Sequence, residues 1–514
     1  MFLSKKISLV SGMICGVSFA PVFFTPGIFM LSILCAQIAT SDTRKQAAGF
    51  GYLFGFGLFF STLYWISFGV SVYIEQFWWA IPFALFGLPA FLALFTALHG
   101  AVVWQFKNSY LYHFFFCCMW LFCEWLMSWI FTGFPWGIIG YAFSISNMLI
   151  QSASVFGILG LSFSALYIGS SFFSKNMLIP RVIIASILFI MMIVFGYKRL
   201  EENPTEFSKL KVRIVQPSIP QIAKWDPVEF WQNLGNQVAL SKGDGDPDII
   251  IWSEAALTVP YYYKPVYNSL MSVFTKEDQL LLVGGVNDNA EHDDNYEIYT
   301  SLITIDSDGN LLFDYHKSHL VPFGEYMPFT GYLPIKKLTS GIVDYTPGTR
   351  EIMYLKSFNL YIHPLICYES IFAEEVRISN SEADMIVNVT NDAWYGKSSG
   401  PYQHFEISRI RSVENGLPMI RAANNGISAI IDPLGRVLGS LDLNQIAALD
   451  GYIPLKLLLP TTYSEWGNIA LFLWVSCALI LQLIVTLLYL LFLGHRNHLL
   501  QLIVNNSTKS GIQL

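Results

Sequence analysis

From Ile7 to Tyr197 the chain is apolar almost without a break, and only ten Asp, Glu, Lys or Arg residues fall within residues 1–197. From about 199 to 456 short apolar runs alternate with mixed segments, as in a soluble domain, and 467–494 is apolar again. A helix needs about 20 apolar residues to cross a bilayer. Eight stretches suit such helices: 7–24, 26–41, 47–72, 78–104, 109–131, 150–173, 180–198 and 467–494. The first two are short and meet at the segment Pro21 to Pro26. The pattern predicts a polytopic membrane domain over 1–198, an aqueous domain over 199–460, an eighth span within 461–494 and a tail over 495–514.

Loop charges orient these spans. Lys5 and Lys6 precede the first, Arg44 and Lys45 follow the second, Lys107 follows the fourth, and Lys175 and Arg181 follow the sixth. The intervening short loops carry no Lys or Arg. By the positive-inside rule both termini are cytoplasmic and 199–460 lies on the other side, the periplasmic face of a bacterial inner membrane. The N-terminus resembles a signal peptide, but its apolar run continues into further spans without a small-residue cleavage site, so it is expected to be retained. Tyr64, Trp65, Trp78 and Trp79 stand near span ends, where aromatic anchors concentrate. Glu124 falls inside the fifth span; it is either a functional carboxylate or a packing one bonded to a neighbouring helix. The uncharged loop Thr132 to Gly137, with Trp136, is either a tight turn or a lipid-facing part of a substrate entrance.

Within the aqueous region, Lys211–Gln216, Asp248–Trp252, Leu280–Gly284, Leu360–Cys367 and Met385–Val389 read as buried strands. Residues 226–242 and 402–417 read as helices. Hairpins are expected over Leu302–Phe313 and Ile427–Leu438, each around an Asp-x-x-Gly turn. Buried strands interleaved with helices predict an α/β layered domain.

Composition agrees with this division. Hydrophobic residues make up 54% and charged residues 13%, against roughly 25% charged in soluble domains. The net charge of −7 is modest, and the absence of a basic stripe argues against a nucleic-acid partner. No clustered His/Cys pattern suggests a metal, and no cofactor is called for. Six of the seven cysteines lie in apolar segments; Cys367 alone lies in the aqueous domain, a thiol with no disulfide partner there.

Cys367 ends one predicted strand, and Glu254 follows another in Trp252-Ser253-Glu254. Lys317 opens a run through His319, Pro322, Phe323 and Gly324 to Glu325. Taken singly, each has an ordinary use: a structural thiol, a helix-capping acid, a surface lysine, an acid paired with an arginine. Together a thiol, a carboxylate and an amine suffice for nucleophilic acyl chemistry, with the carboxylate as base and the ammonium at the oxyanion.

The order Glu, Lys, Cys and the residues around each resemble the nitrilase superfamily. The apolar flanks, Gly133 to Trp136, Val215 to Gln221 with Lys224 and Trp225, His319 to Pro328, Cys367-Tyr368-Glu369, Asn388 to Gly396 and Arg421 to Gly426 resemble its membrane-bound branch, the apolipoprotein N-acyltransferases, over essentially the whole chain. Ser253 and Pro217 stand where that family often has Pro and Gly. The resemblance implies an α-β-β-α sandwich, with Glu254 as general base, Lys317 at the oxyanion, Cys367 as nucleophile and Glu325 supporting Lys317. It implies that Trp225, Tyr368 and Glu369 contact substrate or hold the site; their ordinary readings are core aromatic and surface acid. Trp136 is grouped with these supporting residues.

The implied reaction moves an acyl chain from a phospholipid, phosphatidylethanolamine by expectation, through a thioester to the α-amine of a diacylglyceryl-cysteine lipoprotein. The protein is expected to act as a monomer. A membrane-tethered amidase would use the same three residues on a small amide, and a transporter or scaffold would need none of them. Cys367→Ala is expected to abolish acyl-enzyme formation and transfer, and Cys367→Ser to do nearly the same because serine is the weaker nucleophile. A transfer assay giving wild-type rates for either variant would exclude the thiol.

Overall fold

Twelve strands form two six-stranded sheets in a computed structural model that describes residues 4–173, 177–288, 297–328 and 344–509. Lys175, used above for orientation, and the last residues of the predicted tail, 510–514, lie outside the described residues. The strands of the first sheet include β1 (Phe207–Gln216), β2 (Ile249–Trp252), β3 (Leu280–Asp288), β4 (Ile298–Asp306) and β5 (Leu311–His316). The second sheet contains β6 (Met353–Leu355), β7 (Leu360–Ile366), β8 (Met385–Thr390), β9 (Met419–Ala423), β10 (Ser428–Ile431) and β11 (Val437–Leu441). β12 (Ala447–Pro454) returns to the first sheet beside β1. The two orders are β12-β1-β2-β3-β4-β5 and β11-β10-β9-β8-β7-β6. Each sheet has the same plan. Three parallel strands, β1-β2-β3 and β7-β8-β9, form the centre, and antiparallel strands flank them.

The side-chain period of two explains the layers. Ile249 and Ile251 turn inward with Val212, Ile214 and Leu282 to meet Ile362, Met385 and Val387 of the other sheet. Ile250 and Trp252 turn outward and pack under Leu234, Val266 and Leu270 of helices Phe230–Ser241 and Lys264–Met271. Strands buried on both faces carry unbroken apolar runs, as parallel strands do. The second sheet is covered by helix Gly400–Asn415, whose Phe405 meets Leu365, Ile386 and Met419. The nitrilase-like α/β sandwich expected from the sequence is present.

That last helix also joins the two halves. Its Ile407, Ile410 and Val413 belong to the same apolar cluster as Phe54, Leu58, Trp120 and Leu161 of the N-terminal helices. Glu414, fully buried, accepts from the backbone N–H of Ile158 at 2.7 Å. It thereby satisfies an orphan donor where the helix Ala153–Gly169 is broken at Gly157 (φ +66°).

In the N-terminal half, each apolar stretch read from the sequence holds a helix. Three helical stretches, Ile74–Phe106, Leu178–Glu202 and Asn468–Phe492, are long and apolar enough to cross a membrane. Thr25–Ala39, Tyr112–Met127 and Ala153–Gly169 are apolar but shorter. Glu124 is a packing carboxylate: it accepts from Trp120 Nε1 (3.1 Å), Ile139 N (2.8 Å) and Ser162 Oγ (2.5 Å).

Gly284 in β3 sets the height of the neighbouring strand end. A Cβ there would stand 2.3 Å from the Ser253 carbonyl oxygen and 2.7 Å from the Glu254 Cα, both backbone atoms. Gly284→Ala is therefore expected to lower stability by about 1–3 kcal/mol and to displace Glu254. Thermal unfolding in detergent, with activity measured alongside, checks both effects.

Candidate active site

Glu254, Lys317 and Cys367 each follow the end of a strand. Glu254 lies two residues after β2, Lys317 directly after β5 and Cys367 directly after β7. The backbone bends sharply there. Cys367 has φ +50° and Ala255, beside Glu254, has φ +47°. Non-glycine residues adopt these angles only when the surrounding packing holds them, and such residues collect at functional sites.

Lys317 is 1% exposed and lies between two carboxylates. Its Nζ donates to Glu325 Oε1 at 2.8 Å and to Glu254 Oε1 at 3.4 Å. Glu325 is fixed in turn, its Oε2 accepting from Val321 N at 2.7 Å. Burial pulls the Lys317 amine down, but Glu325 and then Glu254 outweigh it and hold the group well above the ordinary lysine value. It is a permanent cation. The Cys367 thiol is pushed up to about 12, by burial first and by Glu254 second, against Lys317 and Thr390. The resting sulfur therefore keeps its proton at neutral pH.

Glu369 and Tyr368 do different work from each other. Glu369 is 2% exposed. Its Oε1 accepts from Ser318 N (2.7 Å), Ser318 Oγ (2.8 Å) and Tyr315 OH (2.9 Å), and its Oε2 from Ile366 N (2.6 Å). One carboxylate thus ties the Cys367 turn to the segment after Lys317. Tyr368 points the other way, its hydroxyl donating to the Gly133 carbonyl at 3.1 Å and its ring meeting Phe372 at 5.1 Å. Trp136 is buried rather than at a lipid-facing mouth. Its Nε1 donates to Gln403 Oε1 at 2.9 Å, and Trp65 Nε1 donates to the same oxygen at 3.1 Å. Within that loop Thr132 is exposed, as are Trp129 to Phe131 just before it. Trp225 is half-buried, at the end of the one-turn helix Gln221–Lys224.

Residues 11–171 match the family described as "Apolipoprotein N-acyltransferase N-terminal domain", and residues 211–459 match "Carbon-nitrogen hydrolase". The apolipoprotein N-acyltransferase of Rickettsia prowazekii (strain Madrid E) is 51% identical over 95% of this chain and 100% of its own length. That of Rickettsia bellii (strain RML369-C) is 54% identical over 92% and 96%. That of Brucella melitensis biotype 1 (strain 16M) is 40% identical over 79% and 80%. An amidase of the nitrilase superfamily from Nesterenkonia AN1 is similar in structure over 48% of this chain and 92% of its own, at 18% identity and a TM-score of 0.35. The chain belongs to the apolipoprotein N-acyltransferase family.

Beneath the thiol of this acyltransferase lies a polar cluster that the sequence did not single out. His404 Nδ1 donates to Asp392 Oδ1 at 2.8 Å, Arg421 pairs with Asp392 Oδ2 at 3.1 Å, and Ser370 Oγ donates to the Cys367 carbonyl at 3.0 Å. His404 Nε2 and Ser370 Oγ are 3.0 Å apart. All four side chains are fully buried. Burial and then Arg421 hold His404 below the ordinary histidine value, so it is neutral. Arg421 and then His404 outweigh burial at Asp392 and hold its carboxyl low. Asp392, Arg421 and Tyr395, which lies against the thiol, all stood in quoted motifs, but nothing in spacing marks them as neighbours. His404 sits mid-helix with no motif signal.

Lys317→Met leaves two buried carboxylates without their cation. Removing one partner of a buried ion pair costs about 3–5 kcal/mol. The variant is expected to unfold at a markedly lower temperature and to form no acyl-enzyme; a wild-type melting profile would show that Lys317 is not the charge that holds these two acids together.

Proposed function

We propose that this acyltransferase moves a fatty acyl chain from a membrane phospholipid, phosphatidylethanolamine in the first instance, to the α-amine of the diacylglyceryl-cysteine of lipoproteins, through a thioester on Cys367. The observation that supports it most is the buried Cys367 thiol together with the Glu254–Lys317–Glu325 cluster at the strand ends of a sandwich whose covering helix shares an apolar cluster with the N-terminal helices. In the first step Glu254 takes the thiol proton, Sγ bonds to the ester carbonyl carbon, and the Lys317 ammonium stabilises the oxyanion. The ester C–O bond then breaks, and Glu254 returns the proton to the leaving lysophospholipid oxygen. In the second step the acceptor amine attacks the thioester, the C–S bond breaks, and the amine's proton passes by way of Glu254 to the sulfur. Two half-reactions through one covalent intermediate give ping-pong kinetics.

Glu325 holds Lys317 in this scheme. Glu369 fixes the nucleophile turn. Tyr368 and Trp136 seat that turn on the outer loop of the membrane half, and Trp225 borders the site. The eight apolar segments would cross the inner membrane, with both termini cytoplasmic and 199–460 periplasmic. Helices in all eight segments and the Arg and Lys pattern support that topology. The scheme needs a single chain, and we assign a monomer.

Intact-protein mass spectrometry of the full chain, after incubation with phosphatidylethanolamine vesicles, tests the reading. The expected result is a mass gain of one acyl chain that is absent in Cys367→Ala and lost on adding a diacylglyceryl-cysteine peptide. No gain, together with hydrolysis of small amides, would replace the acyltransfer scheme with that of a membrane-tethered amidase.

A further inference from the structure

Lys224 is a second buried amine at this site, and the mechanism above does not use it. It ends the one-turn helix Gln221–Lys224 and is 3% exposed. Its Nζ donates to the backbone carbonyl oxygen of Glu254 at 2.9 Å. An ammonium carries three N–H bonds, and among the described residues no second hydrogen-bond acceptor meets this one. Burying a charge is costly unless something compensates it. The ionisable groups that act on Lys224 are Glu254 and then Cys367.

The local charge balance gives this lysine a purpose. Glu254 and Glu325 bring two negative charges and Lys317 one positive, so the cluster is one charge short of neutral. Lys317 sits closer to Glu325 (2.8 Å) than to Glu254 (3.4 Å). When the thiol proton passes to Glu254, the negative charge moves from that carboxylate to the sulfur. A cation bonded at the Glu254 turn offsets the net negative charge of the cluster as that charge moves to the sulfur, and in a dry pocket the attraction is strong. We infer that Lys224 is a positioning and charge-balancing residue for the acyl-transfer step: its hydrogen bond holds the Glu254 turn in place, and its ammonium supplies the second positive charge that lets Cys367 ionise.

This inference rests on Cys367 and Glu254 acting as nucleophile and base. Its signature is a pH dependence that a merely structural lysine would not show. Burial draws the Lys224 amine down to about 7, against Glu254 and Cys367. The ammonium is therefore present below about pH 7 and fades above it. Its help to the thiol should be largest on the acid side and disappear on the alkaline side.

The test is the rate of Cys367 alkylation by iodoacetamide between pH 6 and 9, followed by peptide mass spectrometry on the full chain in phospholipid nanodiscs. Lys224→Met is expected to be about tenfold slower than wild type at pH 6, the equivalent of one pKa unit at the thiol, and within about threefold of it at pH 9. Lys224→Arg, which keeps its charge at all these pH values, is expected to show no such convergence with Lys224→Met. If Lys224→Met does not fold, Lys224→Gln, which keeps a donor and drops the charge, takes its place. A wild-type to variant ratio that is near one, or the same at every pH, overturns the inference. Wild-type Cys367 that neither alkylates nor accepts an acyl chain overturns the underlying reading instead, so the two failures are distinguishable.

Discussion

One buried ammonium between two buried carboxylates sets the terms for the rest of this site. Lys317 could not be placed in a dry interior alone, because desolvation would drive off its proton. Glu325 at 2.8 Å and Glu254 at 3.4 Å prevent that. The same pairing fixes geometry: Glu325 is anchored by the Val321 N–H, so the lysine has little freedom, and Glu254 is held within reach of it. The strained turns at Ala255 and Cys367 persist because their surroundings leave no alternative. Glu369, with donors from the ends of two strands, ties the Cys367 turn to the chain that carries Lys317. The proposed chemistry rests on this ion cluster, and much of the polar structure nearby keeps the cluster in register.

The thioester proposed for Cys367 would survive only if water were slow to reach it. The helix Gly400–Asn415 bears on this directly. One face closes the second sheet, and Ile407, Ile410 and Val413 continue the apolar core of the membrane half. Trp65 and Trp136, both bonded to Gln403 of the same helix, close the space beside Tyr395, with ring centroids 4.6 Å apart for Trp65 and Tyr395. Without this apolar seat the proposed acyl-enzyme would stand open to solvent. Joining the sandwich to the apolar helical half would thus do more than bring the site to a lipid; in the proposed scheme it would supply the dry wall that lets aminolysis compete with hydrolysis.

The layered fold was legible where burial is two-sided. Ile249 to Trp252 is an unbroken apolar run, and Met385 to Val389 is broken only by Asn388, because both faces of each strand are covered; they read as strands for that reason. β9 was not read, because its Arg421 breaks the run; that arginine is fully buried only because Asp392, Asn388 and Ser408 satisfy it across the chain. β12 was missed for the opposite reason, since it is a half-exposed strand of mixed residues at the end of its sheet. Glu254, Lys317, Glu325 and Cys367 were legible because their flanking residues are distinctive. Local sequence could not reveal how Glu369 and Tyr368, adjacent in the chain, face opposite partners, or that a helical histidine stands under Cys367.

The Asp392–His404–Ser370 chain shows why geometry alone does not name a nucleophile. Its spacings, 2.8 Å and 3.0 Å, are those of a serine hydrolase triad. Yet Ser370 is fully buried and already donates to the Cys367 carbonyl, so its oxygen has no free approach to a substrate. The neutral histidine and the low carboxylate act on the backbone of the nucleophile turn instead. Asp392 also opposes ionisation of the thiol, as Glu254 does, and Arg421 pairs with that carboxylate at 3.1 Å. Two carboxylates thus act on Cys367, and the structure holds them differently: Asp392 is locked to an arginine and a histidine, whereas Glu254 has the longer contact, 3.4 Å, to Lys317, which suits it to the base role proposed for it.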